Sequence, residues 1–378
     1  MPRWFTLVFA ALAATAAPLV HALDAAALRT ALDAAVASAR NKDNSGTLLV
    51  VDNGKTLYEA YLGKADRARD IAVSADTRFG LASTGKLFTT VAVLQLVEAG
   101  KLDLDAAVGR YLPDWPQPAV RDTVTLRHLL THTSGLGSYF QASGYRERRA
   151  QLLTVADHLP LFDHEAPAFT PGTDFAYSNS GYLLLGRIVE VVSGEDYYDY
   201  VARHVFAPAG MRDTGYYDRA GRAERVAVGY LAASGLETND GWREWRGGPA
   251  GGGYATPADL ARFHAALVQG KLLGASMRTQ WLTPIDVPGE GGRRNTGLGA
   301  LVRSAGSDVV FGHPGGSPGT TSEFWATRDG GLVVVVMSNV LPAGRGESPP
   351  VAMTFARQVF DAIVAAGGPR FGPEPRKR

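Results

Sequence analysis

Strand-forming residues gather near the two ends of this chain, and that distribution limits its fold more than any other feature. Near the start, Thr47 to Val51 and Thr56 to Gly63 flank Asp52-Asn53-Gly54, a sequence suited to a two-residue hairpin turn. Near the end come Leu298 to Arg303, Val309 to His313 and Glu323 to Ala326. The last of these runs through an Asp329-Gly330-Gly331 turn into Leu332 to Ser338. Between about residues 100 and 290 lie helical runs and Gly/Pro-rich loops, with Leu183 to Val192 and Ala258 to Gln269 the clearest helices. Antiparallel strands from both ends can share one sheet. Terminal amphipathic helices, Leu23 to Arg40 and Pro350 to Ala366, can then cover one face of it. The expected fold is α+β (α/β): an antiparallel sheet built from both chain ends, covered by terminal helices, with a large mostly helical insertion. The site would lie at the seam. We expect one domain over residues 23–366, with an α/β lobe (23–80 plus 290–366) and a helical lobe (81–289). Residues 367–378, with three prolines and a basic end, read as a disordered tail.

The N-terminal segment lies outside that domain. Arg3 precedes a mainly apolar run, Trp4 to Leu12, and Val20-His21-Ala22 has the small-x-small pattern of a cleavage site. Residues 1–22 therefore read as a signal peptide cleaved after Ala22, and the protein as periplasmic or secreted. The apolar run is short for a spanning helix, so no stable membrane insertion is expected after cleavage. The charge balance, 38 Lys+Arg against 37 Asp+Glu, offers no footprint for nucleic acid. The absence of cysteine removes disulfide frameworks, thiolate metal sites and a cysteine nucleophile.

Three glycine/serine stretches could carry chemistry. Gly315-Gly316-Ser317-Pro318-Gly319 matches the G-x-S-x-G nucleophile elbow. None of the eight histidines follows Ser317, however, and Pro318 has no N–H to lend to an oxyanion hole. It reads as a Gly/Pro turn between strands. Gly80 to Leu87 is one residue short of a phosphate-binding loop, because Leu87 stands where a magnesium-binding hydroxyl is required. The third reading is Ser83-Thr84-Gly85-Lys86 as S-x-x-K at the start of a buried helix, Ser83 to Ala99. Lys86 would then lie one turn from the Ser83 hydroxyl. To accept its proton, the lysine needs a pKa lowered by ~3 units, roughly 4 kcal/mol. His128 and His132 stand at i, i+4, but Leu129 occupies the place of the glutamate in H-E-x-x-H. Packing or helix capping accounts for them, and no metal or cofactor is implied. Tyr139, Phe140, Tyr145, Trp242, Trp245 and Tyr254 lie in loop-like stretches, where they could line a pocket or simply pack. Gly247 to Gly253 reads as a flexible Gly-rich loop.

S-x-x-K is followed in order by Tyr177-Ser178-Asn179 and by His313-Pro314-Gly315-Gly316. On these three motifs the chain resembles the serine β-lactamase and penicillin-binding superfamily, in its class C β-lactamase-like, DD-carboxypeptidase and esterase branch. The connecting stretches Thr125 to Leu136, Pro208 to Thr214 and Tyr254 to Leu260 share the likeness, which spans about residues 45–340. The resemblance implies Ser83 as acylated nucleophile, Lys86 as its proton partner and Tyr177 as a second acid/base group. It implies that Asn179 bonds Lys86 and the substrate amide. Gly315 and Gly316 would border the substrate, with Gly316 and Ser83 supplying the oxyanion N–H groups. His313 replaces the lysine that opens the third motif in β-lactamases, and by its place in that motif it is expected among the catalytic residues. The resulting expectation is an exported serine acyl-hydrolase, esterase or D-amino-acid peptidase/carboxypeptidase-like, acting on a small ester, amide or D-amino-acid peptide. The alternatives are a β-lactamase and a non-catalytic relative that binds cell-wall peptides.

Overall fold

The computed structural model describes residues 23–218, 223–289, 294–305, 308–344 and 349–372. The signal segment 1–22 and the end of the expected tail, 373–378, lie outside the described residues. Six strands form one antiparallel sheet: β1 (Gly46–Asp52), β2 (Lys55–Leu62), β3 (Leu301–Ala305), β4 (Asp308–Ser317), β5 (Thr320–Thr327) and β6 (Leu332–Ser338), in the order β2-β1-β6-β5-β4-β3. Strand β1, from the N-terminal side, pairs with β6, the last strand, in register from Gly46↔Ser338 to Asp52↔Leu332. The sheet is thus closed by both ends of the chain, as the strand distribution requires. Asn53 (φ 48°) and Gly54 (φ 76°) make the β1–β2 turn, the left-handed pair that matches strand twist. Pro318-Gly319 makes the β4–β5 turn expected of that stretch, with Gly319 at φ 74°, and Ser317 is the last residue of β4 before it, paired with Thr320.

Side-chain alternation along the strands feeds two cores. Leu48, Val50, Trp325, Val334 and Val336 face helix α1 (Ala25–Arg40) and the C-terminal helix, represented by Leu28, Leu32, Phe355, Val359 and Ile363. Leu49, Val51, Phe324, Val333 and Val335 face the helical lobe. At the centre of that lobe is α2 (Lys86–Glu98), apolar on nearly every side and buried. Around it lie α3 (Ser180–Ser193), α4 (Pro257–Val268) and many short helices, while α5 (Val351–Ala365) returns to cover the sheet beside α1. One expectation needs correction. The tail was expected to be disordered from residue 367, yet Phe371 is buried against Phe360, with ring centroids 6.4 Å apart. The aromatic ring has apolar surface to hide and a neighbour to hide it on.

Candidate active site

The nucleophile candidate sits on a tight turn. Residues 82–85 form a 3-10 turn, and the α-helix begins at Lys86 rather than at Ser83. Ala82, at φ 44°, is in a left-handed conformation that bars any helix from running back through it, so the turn starts abruptly just before Ser83. The turn is held from two sides. On one side Leu81 N–H donates to Gly253 O (3.1 Å), and Gly252 N–H donates to Ala82 O (2.9 Å). A Cβ on Gly251 would collide with Ala82 O, so this glycine is needed for the close approach. The stretch Gly247–Gly253, expected to be a flexible loop, is therefore a clamp on the nucleophile turn. On the other side Thr84 Oγ1 lies 2.9 Å from His313 O and 2.7 Å from Ser322 Oγ, which also reaches Leu81 O (2.6 Å). The two hydroxyls carry two protons, so two of these three contacts are hydrogen bonds at any one time.

Lys86 is fully buried, with Nζ donating to Asn179 Oδ1 (2.8 Å), to Ala250 O and to Ser83 Oγ (3.4 Å). Burial removes water from the ammonium and lowers its pKa from 10.5 to about 7, with the Glu244 carboxylate opposing the change. The serine, lysine and asparagine expected to meet do meet. The Ala250 carbonyl was not legible, because a backbone acceptor carries no side-chain signature.

Tyr177-Ser178-Asn179 leads into α3. Ser178 Oγ accepts from Gly181 N–H (2.8 Å) and donates to Gly137 O (3.0 Å), which fixes the segment to the helix start. Asn179 Nδ2 donates to Ser138 Oγ (3.0 Å), leaving Oδ1 for Lys86. The Tyr177 ring lies on the buried His132 ring (centroids 4.4 Å apart), with Lys86 Nζ 4.9 Å from its own centroid. Burial pushes the phenol up to about 12, with the hydrogen bond to Ser83 pulling it down, although 42% of the residue's surface remains open. His132 Nδ1 accepts the Ser178 N–H (3.1 Å), and burial holds the imidazole well below its usual pKa. His128 caps its short helix: its Nδ1 accepts Thr125 N–H and its own N–H donates to Thr125 Oγ1, both at 3.2 Å. Among the described residues no group of three His, Asp or Glu could hold a metal ion.

A cavity of about 700 Å³ opens at Ser83, Tyr177, Asn179 and Gly316. Strand β3 pairs with β4 only up to Gly312, so residues 313–317 of β4 have no partner strand on that side; His313 and Gly315 meet the nucleophile turn, and Gly316 and Ser317 reach the cavity. Pro314, lacking an N–H, suits that edge. Two expectations are corrected here. Gly315 does not border the cavity: it packs against the nucleophile turn, where a Cβ would strike Leu81 O and Ser322 Oγ. His313 also lies behind the cavity wall. Its Nδ1 is 2.6 Å from Pro314 O, and burial, aided by Lys86, lowers its pKa to about 3, so it is neutral. Phe140, Tyr145 and Trp242 line the cavity, whereas Tyr139, Trp245 and Tyr254 do not.

The family model for beta-lactamase matches residues 32–355, nearly all of the described chain. This chain belongs to the beta-lactamase family. Its structure superposes on a penicillin-binding protein from Bacillus halodurans with a TM-score of 0.74, at 33% identity, over 89% of this chain and 98% of that one. A D-stereospecific amidohydrolase from Streptomyces sp. gives 0.71 at 28% identity, over 90% and 98% of the two chains. Esterase EstB of Burkholderia gladioli is 37% identical over 236 residues, 58% of each chain. The protein is accordingly a serine hydrolase of the beta-lactamase fold.

Proposed function

We propose that this chain is an exported serine acyl-hydrolase that works through an acyl-enzyme on Ser83, with esters or D-amino-acid peptides as substrates. The observation that carries this reading is Lys86: a buried amine with a pKa of about 7, hydrogen-bonded to Ser83 Oγ. Near neutral pH a large fraction is uncharged and can accept the serine proton. Ser83 Oγ then bonds to the substrate carbonyl carbon, and the oxygen becomes an oxyanion. The Ser83 and Gly316 N–H groups are the candidate donors to it, each worth ~10²–10³ in rate. The oxyanion then collapses and the bond to the leaving group breaks; Tyr177, beside Ser83, gives the leaving group a proton and recovers one from the Lys86 ammonium. Water then hydrolyses the acyl-serine ester. The esterase and the amidohydrolase among the relatives support both substrate classes. Export is supported by Arg3, the apolar run Trp4 to Leu12 and Val20-His21-Ala22.

One experiment addresses the whole reading. Protein recovered from periplasm or medium is incubated with a fluorescent penicillin and with nitrophenyl esters, then weighed intact. The expected result is a chain beginning at Leu23 that carries one acyl group on Ser83, with Ser83→Ala folded but neither labelled nor active. A retained Met1 terminus would overturn export. Turnover by Ser83→Ala, or a label on Ser317, would overturn the nucleophile.

A further inference from the structure

Glu244 was not singled out by any sequence motif, and the acyl-transfer steps above do not use it. It lines the same cavity as Ser83, with its side chain only 15% exposed. Two groups hold it, and both use one oxygen: the Tyr139 hydroxyl donates to Oε1, and His158 Nε2 lies 3.6 Å from that same atom. Tyr139 and His158 are themselves buried, and His158 is anchored through Nδ1 to Thr154 O (2.9 Å), so the carboxylate is fixed in place. Among the described residues Oε2 has no partner. The arginines around it have other partners: Arg146 lies over the Trp242 ring (5.0 Å), Arg149 donates to Arg146 O (3.4 Å), Arg243 lies over the Tyr217 ring (4.6 Å) and donates to Trp245 O (3.4 Å), and Arg246 lies over the Tyr198 ring (3.6 Å) and donates to Leu153 O. A carboxylate fixed through one oxygen, with the other open to the cavity, can accept a donor from a bound molecule in place of water. The rings of Phe140 and Tyr145 in the same cavity wall add faces that attract a cation.

We propose that Glu244 is the subsite for a primary ammonium group, and that the preferred acyl donors are aminoacyl compounds with a free amine. The proposal rests on Ser83 being the acylated nucleophile. It narrows the substrate from esters and peptides in general to those whose acyl part carries the cation. Lys86 cannot fill that role itself, because its Nζ is committed to Ser83, Asn179 and Ala250.

The test compares D-alanine benzyl ester with its N-acetyl derivative at pH 7 in wild type, Glu244→Gln and Glu244→Asp, with melting temperatures as a check on folding. An ester pair reads the acyl subsite whether or not amides are cleaved. In wild type the free amine should be preferred about tenfold or more in kcat/KM, the order expected for one charge-assisted hydrogen bond. Glu244→Gln should bring the ratio close to one, mainly through a higher KM for the amine, and Glu244→Asp should restore part of it. Any effect of Glu244 on Lys86 acts on both esters and cancels in the ratio. Wild type that turns over the N-acetyl ester equally well or better would overturn the proposal, even if the variants misfold. So would an unchanged ratio in a folded Glu244→Gln. If neither ester is turned over and no acyl group appears on Ser83, the acyl-enzyme reading itself fails and takes this proposal with it.

Discussion

Lys86 has no carboxylate partner among the described residues; a carboxamide, a carbonyl and a hydroxyl surround its amine. Its pKa of about 7 stands far from those of Tyr177, near 12, and His313, near 3. Between pH 5 and 10 only the lysine among these three changes charge. Below about 7 it holds a proton and cannot take another; above that it is a free base. We predict that kcat/KM for an ester rises with pH through about 7 and then levels. Lys86→Ala should cost roughly 10²–10⁴ in single-turnover acylation, and Tyr177→Phe less. A flat profile below pH 7, or equal losses in the two variants, would remove Lys86 as the base. At this scale the sequence is informative where chemistry is local: Ser83 and Lys86 lie within one turn, and Tyr177 and Asn179 within three residues. It is silent about Glu244 and the Ala250 carbonyl, because their neighbours come from distant segments. His132 was legible as a packing residue, but not as the platform under Tyr177, since that contact depends on where α3 begins.

Among the elements, β5 carries an unusual burden. Its core-facing side chains alternate, and Glu323 falls on the face covered by α1 and α5, opposite Pro314 and Val336 in register. The carboxylate accepts one hydrogen bond, from Trp325 Nε1 (2.7 Å), and burial raises its pKa from 4.5 to about 7, with that hydrogen bond opposing. The sign follows from the proton count. Between pH 4.5 and 7 the folded state keeps the proton and the unfolded chain releases it. Stability from this group is full below pH 4.5 and is lost as pH rises towards 7. The loss amounts to about 3 kcal/mol. Other carboxylates have slopes of their own, so the difference between wild type and Glu323→Gln is the useful quantity. Chemical denaturation at pH 5 and pH 8 should show the variant gaining on wild type by about that amount. A difference that stays constant with pH would mean that Glu323 is ionised throughout. Element boundaries show the same mixture of legible and hidden. The expected helix 183–192 is four residues longer, at Ser180–Ser193, and 258–269 is shifted by one, at Pro257–Val268. The expected strand from Leu298 starts at Leu301, because Gly297 N–H turns back to Ala300 O and Gly299 takes φ 82°. Periodicity marks where apolar residues recur, and a turn closed by backbone hydrogen bonds leaves no trace in it.

Across the whole molecule, the placement of strands at both chain ends was enough to anticipate the sheet, because few antiparallel arrangements bury both sets of strands under two terminal helices. What that argument could not anticipate is which groups the two lobes bring to the cavity. The sheet lobe contributes the end of β4, with Gly316 to Gly319 on the cavity and no cation among them. In Lys-Thr-Gly enzymes that motif presents an ammonium and a hydroxyl to the substrate carboxylate. Here His313 is buried and neutral, and Pro314 has no hydroxyl. The cavity's arginines, Arg146, Arg149 and Arg243, belong instead to segments of the helical lobe. A lost hydrogen bond to a charged group is worth ~1.5–3 kcal/mol, on the order of tenfold to a hundredfold in affinity. No asparagine in the chain follows a leucine, so the Glu-x-x-Leu-Asn loop that positions deacylating water in class A enzymes is absent too. We therefore predict that nitrocefin is hydrolysed at least about tenfold less efficiently than nitrophenyl butyrate on one preparation, judged by kcat/KM. Slow release of a penicilloyl group, seen as a persistent adduct by intact mass, fits the same prediction. A nitrocefin value near the diffusional ceiling of ~10⁸ M⁻¹s⁻¹ and above the ester's would show that a buried neutral histidine suffices at this motif, and that the arginines of the helical lobe recruit the carboxylate in its place.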